Sequence, residues 1–522
     1  MSGQPAVSKR VAIVGAGPGG LAAARYLKAH GFEPVLFEQS DDIGGQWNAR
    51  GAHSGVWPNM RANSTRVMTY LSDLPHEPGT LMYAHNQQML AYLHRYAEKF
   101  GLMRHVRLRT PVEQIERGKG NGRYQVSFKP EGGASRQESF DYVIVASGRF
   151  NKPYIPPIPG LETFTGSGGV THSFHYKNPE KYRGLRVVVG GSSISGLEIT
   201  SDLATLGTQR VFSTLRRQRY IMQKVSGGVP NEHLSFTRWG ALASDVYPLE
   251  QMAEWAKEYI IRTSGNPEQY GAFKPSENFL EAGATLSQYY LPLIAEGKIT
   301  QKQWIKEVRG QQVTFEDGTR EEIDAIILST GYDVNLPFLS EELRQIMGVD
   351  ERHMDLHHFT FHPELEGLAF VGQFMVEGPF WTLLELQARW VTYAWANVVH
   401  KPSVEEMRKG VASYQATRGK PQDQDFQSMV LSFSRLLGTE PNLDQYPQLQ
   451  RPLMFGPLSP SGFRLNGPDA FPGAAEQYGA DAAAFGAFTS PEMTAEERTK
   501  LEVLRKALAA KEQAEAPKAK SA

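Results

Sequence analysis

The sequence contains no cysteine, which excludes disulfides, thiolate metal sites and any mechanism built on a redox-active dithiol. It also lacks an excess of charge of either sign: 55 Lys and Arg stand against 56 Asp and Glu, a formal net charge of -1, with no basic stripe of the kind that nucleic acid or anionic lipid requires. No apolar run approaches the roughly 20 residues of a membrane span, and the N-terminal MSGQPAVSKR has no apolar region to serve as a signal peptide. These absences point to a soluble cytoplasmic protein with no nucleic-acid or membrane partner, and leave a homodimer open. At 522 residues the chain exceeds one ordinary core, and two or three domains are expected.

What is present is a repeated unit. Residues 10–38 run as apolar strand, glycine turn, Ala-rich helix and apolar strand, and residues 186–216 repeat that order with RVVVG, GSSISGLEITSDLATLG and QRVFSTLR. Further apolar runs ending in small residues occur at DYVIVASG (141–148), DAIILSTG (324–331) and GLAFVG (367–372), each reading as a buried parallel strand that enters a loop at its carboxyl end. The fold class is therefore α/β, with two nested Rossmann-like dinucleotide-binding domains. The Pro-rich NKPYIPPIPG (151–160) reads as the link between them. Residues from about 220 to 300 read as a helical insertion. The tail from Ser490, with Leu501, Leu504 and Leu508 at helical spacing and a low-complexity APKAKSA end, reads as an exposed helix.

In VGAGPGG, Gly15, Gly17 and Gly20 form G-x-G-x-x-G directly after a strand and at the start of a helix. Gly15 permits the tight turn, Gly17 admits a pyrophosphate to the backbone, and Gly20 lets helix and strand pack closely. The helix N-terminus, from Pro18 and Gly19, offers amide donors to the phosphates. Glu38 closes the second strand, where an acid binds a ribose 2′-hydroxyl. The second turn aligns Gly191, Ser193 and Gly196, with serine at the middle position as a small substitute that still donates a hydrogen bond. Its next strand ends at Arg216 and Arg217, where a guanidinium suits a 2′-phosphate, so the second site reads as one for NADPH.

With these features on two nucleotide folds and no cysteine, the chain resembles the flavin-containing monooxygenases over roughly residues 8–475. The resemblance lies in GAGPGGL, in GGQW at Gly44–Trp47, in RANS with Asn63, in HSFHYKNP from His172, in STGY at Ser329–Tyr332, in ELQARW at Glu385–Trp390 and in FGPLSPSGFRLNGP from Phe455 to Pro468. GSSISGLE resembles the Ser-containing second turn of bacterial trimethylamine monooxygenases, while the last two motifs resemble eukaryotic members. One departure is visible: the family signature places a histidine four residues after its glycine, and here two extra residues separate Gly166 from His172, with Tyr176 keeping the later spacing. The hydrophobic anchor that ends eukaryotic members is replaced by a charged tail.

The resemblance implies FAD and NADPH as cofactors, with residues 1–165 and 326–488 as two parts of an FAD-binding domain, 166–325 as the NADPH-binding domain and 489–522 as the tail. It implies a C4a-hydroperoxyflavin whose distal oxygen passes to a soft nucleophile, an amine nitrogen or a sulfide sulfur of a small molecule, with O2 as co-substrate. Asn63 matches the family asparagine beside the flavin, and is the one catalytic candidate. Cofactor contacts are expected from Gln39, Gly45, Gln46, Trp47, Val112, Ser147, Gly148, Thr330, Gly331, Tyr332 and Gln373 on the flavin side. Tyr176, Ser192, Ser195 and Ser213 join the second turn and its arginines on the NADPH side. A Baeyer-Villiger monooxygenase acting on ketones, an NADPH oxidase releasing hydrogen peroxide and a non-catalytic flavin and NADPH sensor share these cofactors and stand as alternatives. The sequence does not name the substrate.

Overall fold

The structure, a computed structural model, describes residues 8–118, 123–420 and 423–515. The N-terminal MSGQPAV and the terminal APKAKSA lie outside the described residues. The first unit runs β1 (Arg10–Val14), α1 (Pro18–Ala29), β2 (Glu33–Phe37), β3 (Val106–Arg107) and β4 (Tyr142–Val145). The second runs β5 (Gly169–His172), β6 (Arg186–Gly190), α2 (Ile194–Leu206), β7 (Arg210–Leu215), β8 (Ile299–Gln303) and β9 (Ala325–Leu328). The chain then returns to β10 (Leu368–Phe370) and α3 (Phe380–Trp395), and the described chain ends in α4 (Ala495–Glu515).

Each unit is a five-stranded parallel sheet. The first has the order β10-β4-β1-β2-β3 and the second β8-β7-β6-β9-β5. The first sheet is completed by β10 only after the second has been laid down, which is the nesting expected from the repeat. The duplication extends further than the sequence suggested. An antiparallel meander (Val112–Arg117, Tyr124–Phe128, Arg136–Phe140) stands between β3 and β4, and a matching one (Ile305–Arg309, Gln312–Phe315, Arg320–Glu322) stands between β8 and β9.

The Pro-rich link contributes the short strand Lys152–Pro153, which pairs antiparallel with Tyr332–Asp333, the segment by which the chain comes back. The outward and return crossings thus lie side by side. The helix α1 is buried nearly all round, from Gly19 to Ala24 without a break, and the almost wholly buried α3 packs on it. Polar groups inside this contact are paired: Glu385 on α3 accepts from the Tyr26 hydroxyl (2.5 Å) and from the Ser72 amide (2.8 Å), and Arg464 donates to Tyr26, Ser72 and Asp73.

Residues 220–300 carry the helices Arg238–Ser244 and Leu249–Ser264 together with shorter ones. The tail differs from the exposed helix expected of it. Leu501 is 8% and Leu504 1% exposed, and Leu501 joins a cluster with Leu449, Tyr478 and Phe488 against which Trp239 packs. Burial of these two leucines, at roughly 1.5–3 kcal/mol each, outweighs the weak propensity argument for a free tail. Among the described residues, no helix is long and apolar enough to cross a membrane.

Candidate functional site

The two glycine turns are built alike. Gly15 has φ +103°, and a Cβ there would stand 2.6 Å from the Ala146 carbonyl oxygen; Gly191 has φ +128°, with Ser329 O at 2.3 Å. At Gly20 a Cβ would meet Gly15 O at 2.0 Å, and at Gly196 it would meet Gly191 O at 2.3 Å. In both turns, therefore, only glycine allows the helix to sit on its strand. Gly17 and Ser193 each precede the first helical residue, and Pro18 and Ile194 open the two helices. Gly17 faces Gly45, itself left-handed at φ +54°, and a Cβ on Gly17 would lie 3.5 Å from Gly45 Cα. These two residues leave the helix N-terminus open, a cradle that fits a pyrophosphate.

A cavity of about 2080 Å³ joins both turns. Gly15, Gly17, Pro18, Gly19, Glu38 and Gln39 line it at one end, with Gly45, Gln46, Trp47, Val112, Ser147 and Gly148 beside them. Ser193, Ser195, Gly331 and Tyr332 line it at the second turn, and Asn63 faces it too. Glu38 is fixed from behind, one carboxylate oxygen accepting from the Ala16 amide and the other from the Ser40 amide, both at 2.9 Å. Among the described residues, no protein group hydrogen-bonds the Asn63 amide.

The other expected site residues stand back from this space. Gly20, Gly191 and Gly196 shape the turns, and Ser192 is not part of the lining. Gln373 supports the wall, donating to the Gly148 carbonyl at 3.2 Å, and Thr330 donates to the Tyr154 carbonyl at 2.5 Å. Tyr176 is fully buried in the core of the second unit, stacked on Tyr182 with its hydroxyl 3.0 Å from Asp202. Ser213 is buried beneath the Tyr290 hydroxyl, 2.8 Å away. Arg216 lies with its guanidinium 4.9 Å from the centre of the Trp304 ring, and Arg217 donates to the Glu281 carbonyl. Of the three arginines in RRQR, only Arg219 lines the cavity, to which Arg61, Arg149 and Arg262 also contribute. His172 caps the short helix that follows it, its Nδ1 accepting from the Phe174 amide at 3.1 Å, and burial lowers its pKa to about 4. A neutral capping imidazole is the role this geometry gives it.

Glu232 escaped the sequence reading. It belongs to the insertion, yet its buried carboxyl lines the cavity beside the loop of Asn63 and accepts from the Thr65 amide at 2.5 Å. Burial raises its pKa to about 7, against the opposing effects of the Thr65 hydrogen bonds and Lys224. Next to it His233, fully buried, contacts the Thr65 hydroxyl at 3.0 Å and is held to a pKa of about 4 by desolvation. An acid and a histidine adjoining apolar residues in NEHLSF were the only signal.

A family model described as flavin-binding monooxygenase-like matches residues 8–480. The chain is 30% identical over 491 residues to dimethylaniline monooxygenase (N-oxide-forming) 2 of Rattus norvegicus, covering 89% of this chain and 90% of the relative. In structure it is similar to S-allyl-L-cysteine S-oxygenase from Allium sativum, with a TM-score of 0.61 and 21% identity over 97% of this chain and 99% of that one. It is also similar to a cyclohexanone monooxygenase from Rhodococcus sp. Phi1 bound to NADP+, with a TM-score of 0.60 and 16% identity over 84% and 98% of the two chains.

Proposed function

Since the chain belongs to the flavin-binding monooxygenase-like family, whose cofactors are FAD and NADPH, we propose that it transfers one oxygen atom of O2 to an amine nitrogen or a sulfide sulfur of a small molecule. The other oxygen atom leaves as water and NADPH is oxidised to NADP+. Bound together, FAD and NADPH supply the electrons that activate O2. Residues 1–165 and 326–488 are assigned to FAD, and 166–325, with the insertion, to NADPH.

The observation that carries this reading is the single cavity lined by both helix N-termini and by Asn63. The amides at the start of α1 bind the FAD pyrophosphate, and Glu38, already oriented by Ala16 and Ser40, accepts from a ribose hydroxyl. Ser193 and Ser195 face the nicotinamide cofactor. Asn63 offers a carboxamide, both donor and acceptor, where no protein group competes for it. Apolar walls that include Phe236, Phe380 and Trp381 exclude water, so that the substrate's lone pair rather than solvent meets the reacting oxygen.

The test is one assay with three readouts: NADPH consumed, hydrogen peroxide released and oxygenated product, measured with tertiary amines, sulfides and ketones. N-oxide or sulfoxide formed in near-equal amount to NADPH is the expected result. Ester from ketones as the main product, or peroxide alone, overturns it.

A further inference from the structure

The helix α4 lies beyond residues 8–480, the span matched by the family model, yet it is built into the cavity. Thr494, Glu496, Glu497, Thr499, Lys500 and Val503 line that space. All but Glu497 are also exposed to solvent, which places the helix at the rim of a mouth. The insertion leads from this mouth to Asn63. Glu232 stands at the loop of Asn63, Phe236 and Trp239 line the cavity after it, and the Trp239 ring meets α4, its centre 5.7 Å from the Lys500 ammonium. The glycine turns, where the two pyrophosphates belong, are carried by other elements. The helix is fixed in place. Leu501 and Leu504 are buried, Arg451 pairs with Glu497 at 2.9 Å and donates to the Ser490 carbonyl at 2.9 Å, and Lys511 donates to the Asp245 carbonyl at 2.7 Å. Its charges at the mouth are matched, Glu496 with Lys500 at 2.7 Å and Glu497 with Arg451. Opposite charges in contact largely cancel for a passing molecule, so what the helix imposes on entry is bulk and not a preference for one sign of charge.

We propose that α4 is a specificity wall, supplied by residues outside the family-matched span, which bounds the entry to Asn63 and limits the bulk a substrate carries beside its reacting nitrogen or sulfur. The inference rests on the function proposed above and narrows its substrates to compact molecules. Discrimination follows from shape: a group too wide for the mouth meets a helix held by buried leucines and ion pairs, which does not yield as a free tail would.

The chain has no cysteine, so Thr499→Cys provides a single thiol at the mouth. The full-length, FAD-loaded variant is labelled with benzyl methanethiosulfonate and compared with itself before labelling. Arg505→Cys, exposed on α4 but outside the lining, is labelled as the control. The label at position 499 is expected to lower kcat/KM about fivefold or more for methyl naphthyl sulfide and about twofold or less for methyl phenyl sulfide, and the label at position 505 to lower neither. Equal loss for both sulfides, loss for neither, or an equal slowing of flavin reduction by NADPH overturns the proposal. Iodide quenching of flavin fluorescence, against chloride at equal ionic strength, reads entry without turnover. It is expected to fall about twofold on labelling at position 499 and not at position 505, and unchanged quenching overturns the wall. If the unlabelled protein oxygenates neither amines nor sulfides, the proposed function falls and the quenching alone decides the wall.

Discussion

Ser193 takes the backbone conformation of Gly17: φ -95° and ψ 174° at the serine, φ -78° and ψ -173° at the glycine, each one residue before its helix. Both are extended geometries open to any residue, so glycine is required at this point of the turn for space and not for conformation. Gly17 has Gly45 opposite it, whereas Ser193 lines the cavity with no side-chain hydrogen bond to its own helix.

From this follows a pair of outcomes at the two turns. Gly17→Val places branched carbons against Gly45 and is expected to yield protein with little flavin, read as the ratio of flavin to protein absorbance. Ser193→Gly is expected to leave flavin content unchanged and to weaken NADPH only by the lost hydroxyl, about two- to tenfold in KM. Equal flavin content in the parent and Gly17→Val would remove the pyrophosphate from this turn.

Asn63→Ala is expected to leave reduction of the flavin by NADPH intact while turnover shifts from oxygenated product to hydrogen peroxide, because the carboxamide acts after hydride transfer. Stopped-flow reduction and peroxide yield measured on one preparation check this. An unchanged product yield per NADPH makes Asn63 a turn residue.

Arg216 is exposed at the end of β7 and held by Trp304. A hydrogen bond to a charged group contributes roughly 1.5–3 kcal/mol, with the lower end fitting an exposed loop. Arg216→Ala is therefore expected to cost about tenfold in kcat/KM with NADPH and little with NADH. If Arg219→Ala has that effect and Arg216→Ala does not, the 2′-phosphate belongs to Arg219, which lines the cavity.

Glu232 gives a pH dependence with a definite sign. Its folded pKa, about 7, lies above the ordinary value of 4.5, so its contribution to stability is complete below about 4.5 and is lost as the pH rises through about 7. Glu232→Gln keeps the acceptor for the Thr65 amide without the charge. Its stability advantage over the parent is expected to be near zero at pH 4.5 and to grow to about 3 kcal/mol above pH 7. Denaturant unfolding across that range measures it, and a gap independent of pH would mean that the carboxyl keeps an ordinary pKa.

The turns and strands were legible because their causes are local. Apolar runs mark β1, β4, β6 and β9, and the glycines mark places where a Cβ would strike the backbone of the same unit. What lay hidden depends on contacts between distant segments. ELQARW and FGPLSPSGFRLNGP were readable only as family motifs, but Glu385 and Arg464 from those two stretches meet at Tyr26 and Ser72 inside the protein. Tyr176 and Ser213 carried a spacing without an orientation, and the structure turns both into cores. Glu232 gave no periodic signal, and the helical spacing of Leu501 and Leu504 did not say where the tail docks, since nothing in the chain order ties the one to the loop of Asn63 or the other to Trp239.

The pairing of Lys152–Pro153 with Tyr332–Asp333 also bears on how the protein can be taken apart. The whole second sheet, its meander and the insertion leave and re-enter the first unit through two adjacent strands, so the stretch between them is topologically a long hairpin loop. Replacing it by a tight turn joining Lys152 to Asp333 would keep β4 and β10 in their register with the rest of the first sheet. The half that carries the first glycine turn is thereby defined as a module with a single point of excision, and the second half as a cassette that such a scaffold can receive.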